Sequence, residues 1–168
     1  SLFFGVICKE EEIFMGYYES IAACKTEREL LELWKTKEPV TRSYVDKKKE
    51  KAVSINHKNV FISDGIVDEV VWNNQIGKKI LYVLKEAYGE NEDWNLTEWL
   101  LRTKPSTSIW KRVIEWTYGI QNTTESNIAK YSHDIYEHHT ELFNHIAVVN
   151  LKKSGGKSSS DYGEIEAY

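Results

Sequence analysis

The chain has 168 residues, of which 22 are Lys or Arg and 26 are Asp or Glu, so its formal net charge is −4. The length is that of one ordinary domain, and 41% apolar with 29% charged residues is typical of a folded globular protein rather than a disordered one. The acidic balance excludes a global positive field that would attract nucleic acid or an anionic membrane, so any such binding needs a local patch.

Cysteine usage and the amino-terminal residues indicate a cytoplasmic protein. Cys8 and Cys24 are too few for a zinc ribbon, a four-cysteine cluster or a disulfide framework. The apolar run at residues 2–8 has no basic flank and leads directly into Lys9-Glu10-Glu11-Glu12, which suits neither a signal peptide nor a membrane span. We expect a strand or an ordered arm at residues 2–8 and no membrane partner.

The first third of the chain is predicted to be helical or irregular. Thr26 and Glu29 form a capping-box pattern, which predicts a helix from about Glu27 to Lys37 that ends before Pro39. The stretch from Thr41 to Lys58 is charged and has little apolar periodicity, so it is predicted to be an exposed segment. We expect residues 1–58 and an α/β part at 59–168 to form one domain.

Two apolar runs in the α/β part predict buried strands, and each leads into a charged segment. The run at residues 80–84 is followed by an acidic turn at 85–93, and the run at 146–149 is followed by Asn150 and a basic, glycine- and serine-rich loop at 151–160. Ligands of open α/β sheets bind beyond the carboxyl ends of the strands. If these strands are parallel neighbours, the two loops form one acidic and one basic lip of a single cleft.

Helical periodicity fills the interval between the two strands. Apolar spacing predicts helices near residues 95–102, 107–118 with Gly119 as the cap, and 126–144. The Trp-rich segment from 94 to 116 is read as core and rim rather than as a base-stacking platform. The predicted fold class is therefore α/β, a three-layer αβα arrangement with a short central parallel sheet. An all-α fold is the alternative, because short apolar runs are ambiguous.

Residues 85–93 resemble the first motif of the iron–sulfur type of uracil-DNA glycosylases. That motif reads Gly-Glu-Ala-Pro-Gly-x-x-Glu-Asp and follows the first strand of the sheet. The positions that match it are Glu86, Ala87, Gly89, Glu92 and Asp93, whereas Lys85 and Tyr88 replace the Gly and the Pro.

A second resemblance lies at residues 148–153. Val148-Val149-Asn150-Leu151-Lys152-Lys153 resembles the later strand of the same superfamily, whose terminal Asn reads the flipped base ahead of a basic loop. Together with Asp64-Gly65-Ile66-Val67, these segments also resemble an uncharacterised bacterial branch of the uracil-DNA-glycosylase-like superfamily. The resemblance covers roughly residues 60 to 162 and implies that fold, shortened at its carboxyl end because 18 residues follow Asn150.

The resemblance implies a role for each matched residue. Glu86 would position water against an oxocarbenium-like sugar, and Asn150 would pair with the edge of an unstacked base. Tyr88 or Trp94 would cover the face of that base beside Gly89. The partner would be DNA, single-stranded or carrying a flipped base, and its phosphates would meet the lysines of the basic loop, Lys152, Lys153 and Lys157. No cofactor is expected, because the cluster cysteines of that family are absent.

We expect weak or no uracil excision, because none of the five His residues is followed by Pro and the His-Pro-Ser motif of that family is therefore missing. Three other interpretations of the chain remain. A non-catalytic nucleic-acid or protein-interaction module on the same fold is the main alternative. A phosphate-binding loop around Gly156-Lys157-Ser158 lacks its first glycine, which Leu151 replaces. The third interpretation is a metal site, which would require Asp134, His138, Glu141 and His145 to share one face of the predicted helix. We do not expect a bound metal there.

Overall fold

The computed structural model describes residues 19–58, 60–89, 92–156 and 160–168, so the predicted strand at 2–8 lies outside the described residues. The elements in chain order are α1 (Glu27–Thr36), β1 (Val40–Asp46), β2 (Lys49–Ile55), β3 (Ile62–Ser63), β4 (Gly65–Ile66), α2 (Glu69–Asn74), β5 (Ile80–Tyr88), β6 (Trp94–Asn95), α3 (Leu96–Thr103), α4 (Ser108–Asn122), α5 (Ile135–His138), the 3₁₀ helix η1 (Thr140–His145), β7 (Ile146–Gly156) and α6 (Tyr162–Ala167).

A three-stranded sheet organises the α/β part. β7 lies in the middle, parallel to β5 on one side and antiparallel to the short β4 on the other. Ile80 is opposite Ile146, and Leu84 is opposite Asn150. The prediction that residues 80–84 and 146–149 are neighbouring parallel strands is confirmed, and so is the α/β class. β7 is the central strand, and the residues of the apolar run that begins it, Ile146, Ala147 and Val148, are all buried.

Helices cover one face of this sheet. Tyr82 of β5 points toward α4, where its hydroxyl donates to the carbonyl of Val113 at 3.1 Å. The core on this face unites residues from the sheet, the helices and η1: Ile62, Val67, Leu96, Leu100, Trp110, Val113, Ile114, Phe143, Ile146 and Val148. On the opposite face, Leu81 and Val83 are 56% and 60% exposed. Within the described residues β5 therefore has a helical layer on one face, and the predicted third layer is not seen there.

Both strands run further than the sequence predicted. β5 continues to Tyr88 and β7 to Gly156, so residues 85–88 and 150–156 are paired backbone rather than turn and loop. Glu86 is opposite Lys152, and Tyr88 is opposite Gly156, with two more residues on β7 than on β5 between these pairs. Charged residues occupy the last part of both strands because their side chains have partners elsewhere in the fold. Local sequence patterns do not reveal those partners.

The connection between β5 and β7 begins with two helices close to those predicted. Asn95 caps α3 by accepting from the backbone amides of Thr97 and Glu98 at 2.9 and 3.2 Å. α4 runs through Gly119 to Asn122, so the predicted glycine cap is wrong. Gly119 sits inside the helix with open space beside it, where it costs backbone entropy but breaks no contact.

The predicted third helix at 126–144 is wrong. Residues 123–134 have no regular structure, and only the short α5 and η1 follow. The hydroxyl of Ser132 bonds to the carboxylate of Asp134, and such local side-chain bonds favour turns over helix. The four proposed metal ligands do not share a helix face, and the described residues contain no group of three or more His, Cys, Asp or Glu placed to hold a metal.

The amino-terminal part combines the predicted helix with a hairpin. Thr26 and Glu29 form both bonds of the capping box, so the prediction of α1 is confirmed. The exposed segment at 41–58 is instead the antiparallel pair β1 and β2, joined at Lys47 and Lys48, which both have positive φ. That turn geometry matches the twist of a two-residue hairpin even without glycine. The hairpin was missed because its exposed strands carry charged and polar residues in place of an apolar alternation.

Candidate functional site

A cavity of about 760 Å³ lies at the carboxyl end of β5, between that strand and helices α3 and α4. Its volume falls within the range of small-molecule sites, roughly 300 to 1,000 Å³. The side chains that make its apolar walls are Leu84, Trp94, Leu96, Trp99, Ile109 and Trp110. The position agrees with the general rule that open α/β sheets bind ligands beyond the carboxyl ends of their parallel strands.

Five of the residues predicted for the site line this one cavity. They are Glu86, Tyr88, Gly89, Trp94 and Asn150. Tyr88 lies at the rim and is 79% exposed, whereas Asn150 lies at the floor and is completely buried. The parallel pairing of β5 with β7 brings these residues together from distant parts of the chain. Their placement in one cavity is a structural fact, and their roles stay predictions.

The two described lysines of the predicted basic loop do not face solvent. The side chains of Lys152 and Lys153 are 8% and 0% exposed, and each is held by a carboxylate. Lys157 lies outside the described residues. Because residues 151–156 are strand and both ammonium groups are paired internally, the predicted basic lip and mobile anion-binding loop are wrong for this stretch.

Asp64 fixes the orientation of Asn150. Its Oδ2 accepts from the Asn150 backbone amide at 2.7 Å and from Asn150 Nδ2 at 3.2 Å, while its Oδ1 accepts from the ammonium of Lys153. A carboxylate can only accept hydrogen bonds, so the amide nitrogen of Asn150 must be the atom turned toward it. The amide oxygen, Oδ1, is therefore turned away and has no hydrogen-bond partner among the described residues.

Glu86 is held in a similar way on the same face of the sheet. Its Oε2 accepts from the ammonium of Lys152 at 3.2 Å, and that ammonium also contacts Glu164 of α6 at 2.7 Å. Gly156 leaves room for this arrangement, because a Cβ at that position would be 2.5 Å from the Glu86 carboxyl carbon. The remaining oxygen, Glu86 Oε1, is buried without a partner in the described part of the chain.

Two residues that line the cavity, Glu86 and Asn150, thus each have one buried acceptor atom that the described residues leave without a donor. An unsatisfied buried polar group costs about 1 to 3 kcal/mol of folding free energy. Such groups are uncommon in folded proteins. Both belong to residues that the sequence singled out, Glu86 and Asn150.

Asp64 supports the candidate site through contacts that the sequence did not reveal. It appears in the segment Asp64-Gly65-Ile66-Val67, but its contacts with Asn150 and Lys153 depend on the antiparallel pairing of β4 with β7. Gly65 follows it with φ of +122°, and a Cβ there would overlap the carboxylate of Glu27. The resemblance at residues 64–67 and the Asp-Gly pair drew attention to this segment, but nothing local in the sequence showed that Asp64 contacts Asn150.

The two buried lysines have opposite shifts in pKa. Burial lowers the pKa of Lys153, and the charges of Asp64 and Glu27 offset this effect only in part. Burial also acts to lower the pKa of Lys152, but the bonds and charges of Glu164 and Glu86 outweigh it, so that this pKa is raised. Lys152 therefore keeps its charge and holds Glu86 at the cavity floor.

Asp93, the last residue of the resembling motif, has a structural role. Its Oδ1 accepts from the backbone amide of Phe61 at 2.7 Å, and its Oδ2 pairs with Lys35 of α1. Burial acts to raise its pKa, but the bonds to Lys35 and Phe61 lower it overall. This residue links the acidic turn to α1 and to β3, and it does not line the cavity.

An aromatic row forms one wall of the cavity and continues into the core. The rings of Trp94 and Trp99 lie 6.2 Å apart, those of Trp99 and Trp110 6.3 Å, and those of Trp110 and Phe143 6.1 Å. Trp110 is buried, as expected of a core residue, whereas Trp94 and Trp99 are half-buried at the cavity. The edges and faces of these indoles suit a planar ligand.

No family model, no curated protein and no solved structure matches the chain. Among the described helices, none has the length and apolar character needed to cross a membrane.

Proposed function

We propose that the chain is a uracil-DNA-glycosylase-like protein whose cavity receives a base that has left the DNA stack. One observation carries the proposal: Glu86, Trp94 and Asn150, which the resemblance assigns to a single base-binding site, line the same cavity. A flipped base needs a polar partner for its edge and an aromatic surface for its face, and this cavity offers both.

Each residue has a role in this proposal. The Asn150 amide pairs with the edge of the base, and its orientation is fixed by Asp64. Trp94 or the rim residue Tyr88 covers the face of the base. If the bond to the sugar is cleaved, Glu86, which lines the cavity, positions the attacking water. The His-Pro-Ser motif is absent from the sequence, and we propose that cleavage is weak or absent.

Contacts to DNA phosphates fall to residues other than the predicted lysines. Two exposed cations line the cavity: Arg102, and Lys85, whose ammonium donates to the Tyr162 hydroxyl at 2.8 Å. Lys152 and Lys153 are instead paired inside the protein. Two such cations give a modest electrostatic contribution, so we expect binding that depends more on the base in the cavity than on the backbone.

The proposal is tested with single-stranded oligonucleotides that carry one base in an otherwise abasic strand. We expect the strand with a base to bind about tenfold more tightly than the fully abasic strand, because stacking of one base on an aromatic ring contributes about 1 to 3 kcal/mol. Fluorescence anisotropy measures the binding, and release of free base from the same strands measures catalysis.

A matched pair of Trp variants locates the binding. Trp94→Ala should remove most of the difference between the two strands, whereas Trp116→Ala should preserve it, because Trp116 is an exposed residue of α4 outside the cavity. Equal binding of the two strands by the unaltered protein would contradict the proposal.

The second candidate is a protein-interaction module. It is favoured by the outer face of β5, where Leu81 and Val83 are exposed on a strand at the end of the sheet order. Exposed apolar side chains on an edge strand are typical of surfaces that pair with another chain. This function takes the place of the first if neither oligonucleotide binds.

A further inference from the structure

His57 lies where several separate parts of the chain meet. It follows β2, and the centroid of its ring is 5.4 Å from that of Phe61 and 5.8 Å from that of Tyr168. Tyr168 is the C-cap of α6, and its hydroxyl bonds to that of Ser154 in β7 at 2.7 Å. A hydrogen bond also joins the His57 ring to the backbone of Trp34 in α1. One side chain, which is 4% exposed, therefore connects the hairpin with α1 and with the carboxyl end of α6.

The surroundings of the ring suit its neutral form. His57 Nε2 is buried and has no partner among the described residues, so the hydrogen bond to Trp34 is made by Nδ1. A neutral imidazole has one donor nitrogen and one acceptor nitrogen, whereas both nitrogens of a protonated imidazole are donors. A proton on Nε2 would therefore be a buried donor that the described residues leave without an acceptor.

The charges close to His57 also oppose protonation. Burial lowers the pKa of His57, the bond to Trp34 acts to raise it, and the positive charges of Lys153 and Lys37 lower it further. Lys153 approaches from β7 and is paired with Asp64, and Lys37 is the C-cap of α1. A protonated His57 would thus be a third cation in a region from which water is largely excluded, where like charges repel strongly.

We propose that His57 is a pH-sensitive switch, and that its protonation opens the packing between α1, the hairpin and the carboxyl end of α6. Nε2 is buried, so it takes up a proton only when the side chains around it move apart. Once His57 is charged, closing the structure again would bury that charge beside two lysines, which favours the open form. The proposal does not depend on what the cavity binds.

The direction of the pH dependence follows from linkage. In the open form, His57 has its ordinary pKa of about 6.5, and in the closed form its pKa is lower. Below pH 6.5 the open form therefore binds more protons than the closed form, and acid shifts the equilibrium toward opening by at most about tenfold per pH unit. The shift is complete once the pH is below the pKa of the closed form.

Hydrogen exchange of the unaltered protein, measured by mass spectrometry at about pH 7 and pH 5, tests the proposal. Protection factors are compared because they correct for the intrinsic pH dependence of exchange. Between these two pH values, peptides that cover residues 33–38 and 162–168 should lose at least about threefold in protection. Peptides from α4 should keep their protection, since none of the His57 contacts described above involves that helix.

Two histidine variants show which residue is responsible. His57→Phe keeps an aromatic ring between Phe61 and Tyr168 but cannot take up a proton, so protection of the same peptides should change by less than about twofold. His138→Phe is the matched control, because the His138 side chain is 69% exposed, and it should keep the full pH dependence. Melting temperatures confirm that each variant is folded.

NMR titration of the histidine ring protons gives a second test that does not require His57→Phe to fold. The pKa of His57 should be below 6.5 in the unaltered protein and closer to 6.5 in Lys37→Gln, which removes one of the two nearby positive charges. Equal protection at both pH values, a folded His57→Phe variant that keeps the pH dependence, or a His57 pKa of 6.5 or above would each overturn the proposal.

Discussion

Lys152 and Lys153 are adjacent in β7, yet they lie in different electrostatic surroundings. Lys153 is completely buried between one contacting carboxylate, Asp64, and the ring of Trp34 at 4.6 Å. Lys152 contacts two carboxylates, Glu86 and Glu164. The pKa of Lys153 is lowered by burial, whereas that of Lys152 is raised because its two partners outweigh burial.

Burial acts to lower the pKa of both lysines, and the direction of each shift depends on whether the carboxylate partners outweigh that effect, as they do at Lys152 and do not at Lys153. The pairing with carboxylates also explains why the sequence pattern was misleading. A pair of lysines after a strand is typical of a solvated basic loop, but here each ammonium holds a carboxylate that shapes the cavity floor. Asp64 is in turn the residue that orients Asn150.

The largest effect is expected from Asp64→Asn, which leaves the buried Lys153 ammonium without its carboxylate. Removing one partner of a buried ion pair costs about 3 to 5 kcal/mol of unfolding free energy. Urea denaturation measures this loss. Glu164→Gln is the control: it leaves Lys152 paired with Glu86, and we expect it to cost about 1 kcal/mol. A smaller loss in Asp64→Asn than in Glu164→Gln would contradict the comparison.

An intermediate effect is expected in the pH dependence of stability. The folded-state pKa of Lys153 lies below the ordinary value of 10.5, so above that folded-state pKa the unfolded chain binds more protons and stability rises with pH up to 10.5. Lys152 has a raised pKa, so its contribution is fully present below 10.5 and is lost as the pH rises through its folded-state pKa.

The pH dependence contributed by each lysine is isolated by comparing the unaltered protein with the single variants Lys153→Met and Lys152→Met. As the pH rises toward 10.5, the free energy of unfolding of the unaltered protein should rise relative to that of Lys153→Met, by at most about 1.4 kcal/mol per pH unit. Relative to Lys152→Met it should stay level over the same range. Guanidinium denaturation across this range measures both differences, and two equal slopes would show that the environments of the lysines do not differ as described.

The smallest effect is expected at Lys51, which also contacts two carboxylates but lies at the surface of the hairpin. Its partners are Asp46 and Asp161, and its side chain is 42% exposed. Solvent screens such pairs, so Lys51→Met should change the free energy of unfolding far less than Asp64→Asn does. Thermal melts that show a loss as large as that of Asp64→Asn would mean that burial is not the decisive variable.

Sequence reasoning recovered the elements that local patterns encode. The capping box at Thr26 and Glu29 predicted α1, and two apolar runs predicted the parallel strands β5 and β7. It failed at the hairpin of β1 and β2, whose exposed strands have no apolar alternation, and at residues 126–144. There the apolar periodicity is real, but Ile128 is exposed and local polar bonds favour turns.

The candidate site was predictable in part for the same reason. Glu86 and Asn150 follow the apolar runs of neighbouring strands, so their meeting in one cavity follows from the parallel pairing. The lengths of those strands were not predictable, because Lys85, Glu86, Lys152 and Lys153 resemble loop residues until their partners are known. The contact between Asp64 and Asn150 joins positions 86 residues apart, and no local pattern reports it.

The parallel pairing of β5 with β7 also determines when in folding the cavity can exist. Glu86 and Lys152 are 66 positions apart in the chain, so their contact closes a long loop, whereas α4 and the hairpin are built from local contacts. Loop closure is an entropic cost that must be met before distant contacts contribute, and topologies with many such contacts fold slowly. The floor of the cavity combines β4, β5, β7 and α6, so no short peptide from this chain carries it.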